Sequence, residues 1–316
     1  MNAPSPIADS YLDGVDQWDL APVLVELRAA RERWREDHRR NREWGGRELP
    51  SREALRGIVK DLCGVLFPMR LGPPDVRQEA EDYYVGHTLG AALDGLLAQI
   101  RLELSYVARR DSRSAGALGM RAITLTREFA TELPGIRALL DTDVDAAYRG
   151  DPAATGVDEV LLCYPGILAM IHYRLAHQLN RLGLPLLARI ISENAHSETG
   201  IDIHPGAKIG RGFFIDHGCG VVIGETAIIG NNVRIYQAVT LGAKCFPVDA
   251  QGELRKGLAR HPIIDDDVVI YAGATILGRI VIGRGSSIGG NVWLTRSVPP
   301  GSQITQANSQ NAASST

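Results

Sequence analysis

Apolar positions change their spacing near residue 197 of the 316-residue chain. Between about 21 and 196 they follow a helical period with few β-branched runs, which predicts an α-helical domain. One helix is expected to run to about Arg109 behind a capping pair of Asp75 and Gln78, with others near 116–149, 158–182 and 184–195. Gly150-Asp151-Pro152 and Gly183 punctuate them. The Arg- and Glu-rich run Arg31–Arg40 reads as a solvated helix face. Residues 1–20 are polar and irregular and read as a flexible arm.

Beyond 197, aliphatic residues recur every six positions at Ile203, Ile209 and Ile215, slip by two, and resume at Ile223, Ile229, Ile235 and Leu241. After an interruption the period returns at Ile264, Ile270, Ile276, Ile282, Ile288 and Leu294. A small or aliphatic residue often stands four positions after the anchor, as at Ala207, Val233, Val239, Val268, Ala274 and Val292. This period fits neither an α-helix nor simple strand alternation. It fits a solenoid of triangular section with one hexad per side and about 18 residues per coil, anchors inside and small residues at the corners. The fold class expected is α+β: an α-helical domain over 21–196, then a parallel β-helix of hexapeptide repeats over 197–300. The interruption at about 243–262 is polar, holds Gly and Pro, and is too long for a corner, so it reads as an ejected loop that walls a site. Residues 301–316 form a polar tail expected to be disordered.

Composition narrows the function classes. Lys+Arg 34 against Asp+Glu 37 gives a net charge of -3, which argues against a nucleic-acid partner. Cys63, Cys163, Cys219 and Cys245 are scattered without a C-x-x-C pair, as expected of reduced thiols. The chain opens without a signal-peptide pattern, and its longest apolar stretch, Val160–Ile171, falls short of the ~20 residues of a membrane span. A cytoplasmic protein without a membrane partner is the expectation. There is no Walker loop and no G-x-G-x-x-G after a strand.

The run TGIDIHPGAKIGRGFFIDHGCGVVIGET (Thr199–Thr226), then ARHPII (Ala259–Ile264) and YAGATILG (Tyr271–Gly278), resembles the serine O-acetyltransferases of cysteine biosynthesis. The likeness covers about 150 to 300, including GDPAATG (Gly150–Gly156), while residues 1–110 resemble only the longer variants of that family. Hexads alone are shared by many acyltransferases; D-I-H-P, D-H-G-x-G and R-H-P in that order are more specific. The resemblance implies an acyltransferase that moves the acetyl group of acetyl-CoA to the L-serine hydroxyl, giving O-acetyl-L-serine and CoA. It further implies a left-handed solenoid, an exception to the usual crossover hand. A homotrimer, in much of the family a dimer of trimers, and feedback inhibition by L-cysteine are also implied.

That chemistry needs a base for the serine hydroxyl, and an imidazole titrating near ~6.5 suits the task. His38 and His87 lie in charged or polar helical stretches, His172 and His177 stand five apart on one helix, and His196 is at the domain junction. His204, His217 and His261 remain. The resemblance assigns the D-H-G histidine, His217, as catalytic base and Asp202, one coil before it, as the supporting carboxylate; His204 reads as structural. It gives Arg260 and His261 to the serine carboxylate, and Asp151 and Asp216 to the ammonium and hydroxyl. Ala272 and Gly290 match the acetyl-CoA contact positions. No metal is expected, because His204, His217 and His261 do not recur at metal-ligand spacing. Acceptors other than an amino acid would not need this clamp of Asp151, Asp216 and Arg260. Finally, family members that bind cysteine synthase resemble one another in ending with isoleucine, whereas this chain ends at Thr316, so a weak complex or none is expected.

Overall fold

The computed structural model describes residues 18, 20–38, 45–111 and 118–307. Most of the expected arm over 1–20, and Thr316 with the expectation about cysteine synthase, lie outside the described residues. The chain forms two units, Met1–Arg47 and Glu48–Thr316. In the first, helix α1 (Leu20–Asp37) buries no residue: its Arg- and Glu-rich second half is solvated as expected, and the apolar Val23, Leu24, Val25 and Leu27 of its first half are exposed as well.

The larger unit continues with α2 (Arg52–Leu66), α3 (Pro68–Leu71), α4 (Glu81–Arg110), α5 (Leu118–Gly150), α6 (Val157–Cys163), α7 (Pro165–Arg181) and α8 (Pro185–Thr199). Ser51 caps α2, its hydroxyl accepting from the Ala54 N–H at 3.2 Å, and Leu55, Ile58, Val59 and Leu62 place one apolar stripe in the core. The buried Glu103 carboxylate of α4 accepts from the Leu186 and Leu187 N–H groups at 2.9 Å each, capping α8 from another helix. No described helix is long and apolar enough to cross a membrane.

Two expected helix boundaries differ. Asp75 and Gln78 do not cap α4, which begins at Glu81 after the 3-10 turn Gln78–Ala80 and has no side-chain cap. Arg77 between Asp75 and Gln78 is extended, with φ -104° and ψ 152°, which keeps Asp75 outside the helix. The single segment expected over 158–182 is two helices, because Tyr164 before Pro165 is extended, with φ -85° and ψ 117°.

From Asp202 the chain winds as a three-sided parallel β-helix. The first sheet stacks β1 (Asp202–Ile203), β4 (Val222–Ile223), β7 (Thr240–Gly242), β10 (Thr275–Leu277) and β13 (Trp293–Leu294). The second stacks β2 (Lys208–Ile209), β5 (Ile228–Ile229), β8 (Ile263–Ile264) and β11 (Val281–Ile282). The third stacks β3 (Phe214–Ile215), β6 (Arg234–Ile235), β9 (Val269–Ile270), β12 (Ser287–Ile288) and β14 (Gln303–Ile304). Every hexad anchor is the inward residue of a strand, and the register pairs anchor with anchor, Ile203 with Ile223 and Ile215 with Ile235. The pairing of Ser287–Ile288 with Gln303–Ile304 carries the coils into the segment expected to be a tail, because Ile304 supplies one more anchor.

Helix α7 closes the open end of this prism. Its Tyr173 hydroxyl donates to Ala207 O at 2.7 Å, and Arg174 Nη2 donates to Gly210 O at 2.9 Å. His177 Nδ1 stands 2.8 Å from Pro205 O. From α5, Asp143 accepts from the Phe213 N–H at 2.9 Å while pairing with Arg174 in a buried bidentate bridge. Backbone groups of the first coil, which has no coil before it, are thereby satisfied. Helices and coils share one continuous core.

Candidate active site

Two interruptions of the hexad pattern hold most of the candidate residues, and they lie on different edges of the prism. The first is on the edge where the third sheet turns to the first. The turn from β6 to β7 takes four residues, 236–239, whereas the turn from β3 to β4 takes six, 216–221. The added residues include His217 in the left-handed region, φ 60°, and the Gly218 N–H closes a tight turn onto Asp216 O at 2.7 Å. A left-handed non-glycine backbone is uncommon and here throws the imidazole out of the wall, leaving the side chain 70% exposed.

Asp216 points the other way and is buried. Its Oδ1 stands 3.8 Å from His217 Nδ1, and its Oδ2 accepts from Arg234 Nη2 at 2.7 Å. Arg234 Nη1 donates at 2.6 Å to Gly150 O, the last carbonyl of α5. A Cβ on Gly150 would meet Phe214 Cδ1 at 2.8 Å, so glycine lets the helix end abut the third sheet. Asp151 follows directly: Oδ1 accepts from the Ala153 N–H at 2.8 Å and Oδ2 from the Tyr164 hydroxyl at 2.5 Å. The Tyr164 hydroxyl, then the Ala153 N–H, then the charges of Arg234 and His217 hold the Asp151 carboxyl below the usual range. The same hydrogen bond pushes the Tyr164 phenol up to about 12.

The second interruption leaves the edge between the first and second sheets, after β7, and returns at β8. Thr226 Oγ1 accepts from the Arg260 and His261 N–H groups at 2.9 and 3.1 Å. His261 Nδ1 accepts from the Thr226 N–H at 3.0 Å, which places the neutral ring's proton on Nε2. Burial, then the charge of Arg260, pushes the His261 imidazole down to about 4. The ring packs against Gly224, where a Cβ would come within 2.0 Å of His261 Cδ2. Arg260 Nη2 donates to Glu225 Oε2 at 2.7 Å, and a groove of about 380 Å³ runs from Glu225 and Arg260 to Phe246 and Leu254. His204 is on this same edge, its Nδ1 accepting from the Gly206 N–H at 3.0 Å, and burial lowers its pKa.

The structure therefore gathers Asp151, Asp216 and His217 on one edge and Arg260 and His261 on another. Asp202 and His217 share no hydrogen bond; the Asp202 carboxylate instead lies with Glu193 and His196 of α8, the ligating atoms within 4.8 Å of one another. Those three side chains have the spacing of a metal-ligand group. Ala272 and Gly290 stand on later turns of the His217 edge, successive coils being spaced by about 4.8 Å. Ala272 O accepts from the Asn291 N–H at 2.9 Å, and a Cβ on Gly290 would stand 3.1 Å from that oxygen. Their small size leaves the backbone open to a ligand chain along this edge.

A family model described as bacterial transferase hexapeptide (six repeats) matches residues 261–296. The plasmid serine acetyltransferase of Synechococcus elongatus is 62% identical over 262 residues, 82% of each chain. The chain belongs to the serine acetyltransferase family. Among solved structures, Entamoeba histolytica serine acetyltransferase 1 in complex with L-cysteine matches with a TM-score of 0.68 and 37% identity, over 81% of this chain and 87% of that one. Soybean serine acetyltransferase complexed with serine matches at 0.50 and 32%, over 79% and 95%. The solenoid of this serine acetyltransferase family member is the left-handed β-helix of hexapeptide repeats.

Sequence reasoning passed over Arg234, Tyr164, Glu225 and Thr226. An outward arginine beside an anchor carries no sequence signal, since outward strand positions are ordinarily polar. Tyr164 did have one: a residue before proline inside an apolar run marks a break. Glu225 and Thr226 lie in the run that carries the family resemblance, but their partner, the R-H-P segment, is brought back by the loop.

Proposed function

We propose that this chain transfers the acetyl group of acetyl-CoA to the hydroxyl of L-serine, giving O-acetyl-L-serine and CoA, the first step of cysteine biosynthesis. The observation that carries the reading is the exposed His217 imidazole on an added turn, with Asp216 from the coil and Asp151 from the end of α5 beside it. His217 takes the serine hydroxyl proton as that oxygen attacks the thioester carbonyl. The tetrahedral intermediate then expels the CoA thiolate, which takes the proton back from the imidazolium. Asp216 and Asp151 hold the serine ammonium and fix its hydroxyl. Arg260, oriented by Glu225, binds the serine carboxylate, and the Nε2–H of His261 adds a second donor. Asp202 supports the imidazolium once its carboxylate turns from Glu193 and His196. The pantetheine chain lies along Ala272 and Gly290.

A serine held by both His217 and Arg260 must sit between an edge of one copy and the other edge of a neighbour. That supports a homotrimer, with trimers pairing through helical ends as the larger form. L-Cysteine carries the same ammonium and carboxylate, and it competes with serine; the L-cysteine complex of the Entamoeba relative supports this. The protein works in the cytoplasm. Release of CoA from acetyl-CoA, followed with L-serine, with a sugar acceptor and with none, tests the assignment. Release that depends on L-serine is expected, and equal release with a sugar or without acceptor would overturn it.

A further inference from the structure

We propose that Arg234 is a positioning residue of the serine site, a reading that rests on the function proposed above. Arg234 is the outward residue of β6, between Phe214 of β3 and Val269 of β9 in register. Its guanidinium lies over the Phe214 ring at 5.0 Å and over the Tyr236 ring at 4.7 Å. From that seat one planar group holds two elements at once, donating to Asp216 Oδ2 at 2.7 Å and to Gly150 O at 2.6 Å.

Three observations make this a device for the site and not a generic surface contact. First, both recipients adjoin the chemistry: Asp216 directly precedes His217, and Gly150 directly precedes Asp151. The guanidinium therefore sets how far the helical carboxylate stands from the coil carboxylate and the base. Secondly, Asp151 and Asp216 are like charges on one edge, and Arg234 is the cation that pairs with Asp216 while its charge helps hold the Asp151 carboxyl below the usual range. Thirdly, Arg234 Nε is buried without a partner. Between Phe214 and Val269 an apolar side chain would leave no such orphan, so packing alone does not account for arginine here. Lysine cannot substitute fully, because a single ammonium lacks the fork that reaches both oxygens.

Kinetics of the full-length Arg234→Met and Arg234→Lys proteins, with L-serine and acetyl-CoA each varied, test this alongside thermal melting. Arg234→Met keeps the stacked volume and removes the charge. It should raise the serine KM by about tenfold or more, with the acetyl-CoA KM within about twofold of wild type. Arg234→Lys should recover part of the serine KM. A serine KM unchanged in Arg234→Met, or an equal rise in both KM values, would overturn the proposal. If Arg234→Met does not fold, an Arg234→Lys protein with wild-type serine KM overturns it. Wild-type protein that releases no CoA with L-serine would instead overturn the functional assignment, and calorimetric titration of L-serine into wild type and Arg234→Lys would then still report whether Arg234 shapes the site.

Discussion

On one edge of the prism His217 stands 70% exposed among Asp216, Asp151 and Arg234, while on another His261 is 6% exposed and locked to Thr226. Both edges belong to the same coils with the same hexad anchors. They differ in what was added to the repeat: a turn lengthened from four residues to six, or a loop of about 20 residues. The short insertion cannot cover its own histidine and leaves it to solvent. The long one folds back, buries its histidine as a neutral group and surrounds it with fixed partners. A group that must exchange protons with a substrate suits the first setting; a group that must keep one hydrogen-bonding tautomer suits the second.

Removing His217 is the strongest way to test that contrast. His217→Ala should lower turnover by about two to four orders of magnitude while leaving the melting temperature near wild type, since the side chain is exposed. Near-normal turnover would assign the base elsewhere.

Acidification should strike the opposite edge. The His261 pKa lies at about 4 in the folded chain, below the ~6.5 of an unfolded histidine, so the unfolded state binds the extra proton. Stability from this group is fully present above pH ~6.5 and is lost as pH falls toward about 4. Urea titrations at pH 7 and pH 5 should show a loss of about 2 kcal/mol in wild type that His261→Asn lacks. Equal losses in both proteins would show that His261 titrates normally.

Arg260→Ala should raise the serine KM by about 10–100-fold, with little change for acetyl-CoA, because it removes a charge-assisted contact to one substrate only. Equal changes for both would point to a collapsed loop. The smallest effect expected is from Gly224→Ala. The added methyl drives the His261 ring off its seat, at a cost of about 1–3 kcal/mol and with the serine KM raised. A Gly224→Ala protein as stable as wild type would mean that the ring is free to move.

Much of the coil was legible in advance. Ile203 through Leu294 mark every strand but the last, β14, because only inward positions are constrained to be apolar, and that constraint repeats at each coil. His217, Arg260 and His261 stood out through family motifs, not through the repeat. The two-residue slip after Ile215 did mark a disturbed wall, but nothing in it shows a left-handed histidine. Helix ends were read less well: at Asp75, where the extended Arg77 delays the helix to Glu81, and at Tyr164, where Pro165 overrode the apolar pattern.

The sequence by itself determined the repeating coil, the helical region before it, and which residue types could hold an amino acid and pass a proton. Counting anchors at one hexad per side already puts His217 and Arg260 on different edges of the prism. Only the tertiary structure decided what each residue meets there. It also decided that α5 ends against Phe214, that Arg234 bridges Gly150 and Asp216, and that Asp202 lies with Glu193 and His196. Those contacts join segments up to 84 residues apart. They arise from packing a helical cap onto the first coil, whose unpaired backbone groups require a partner that no local pattern can name.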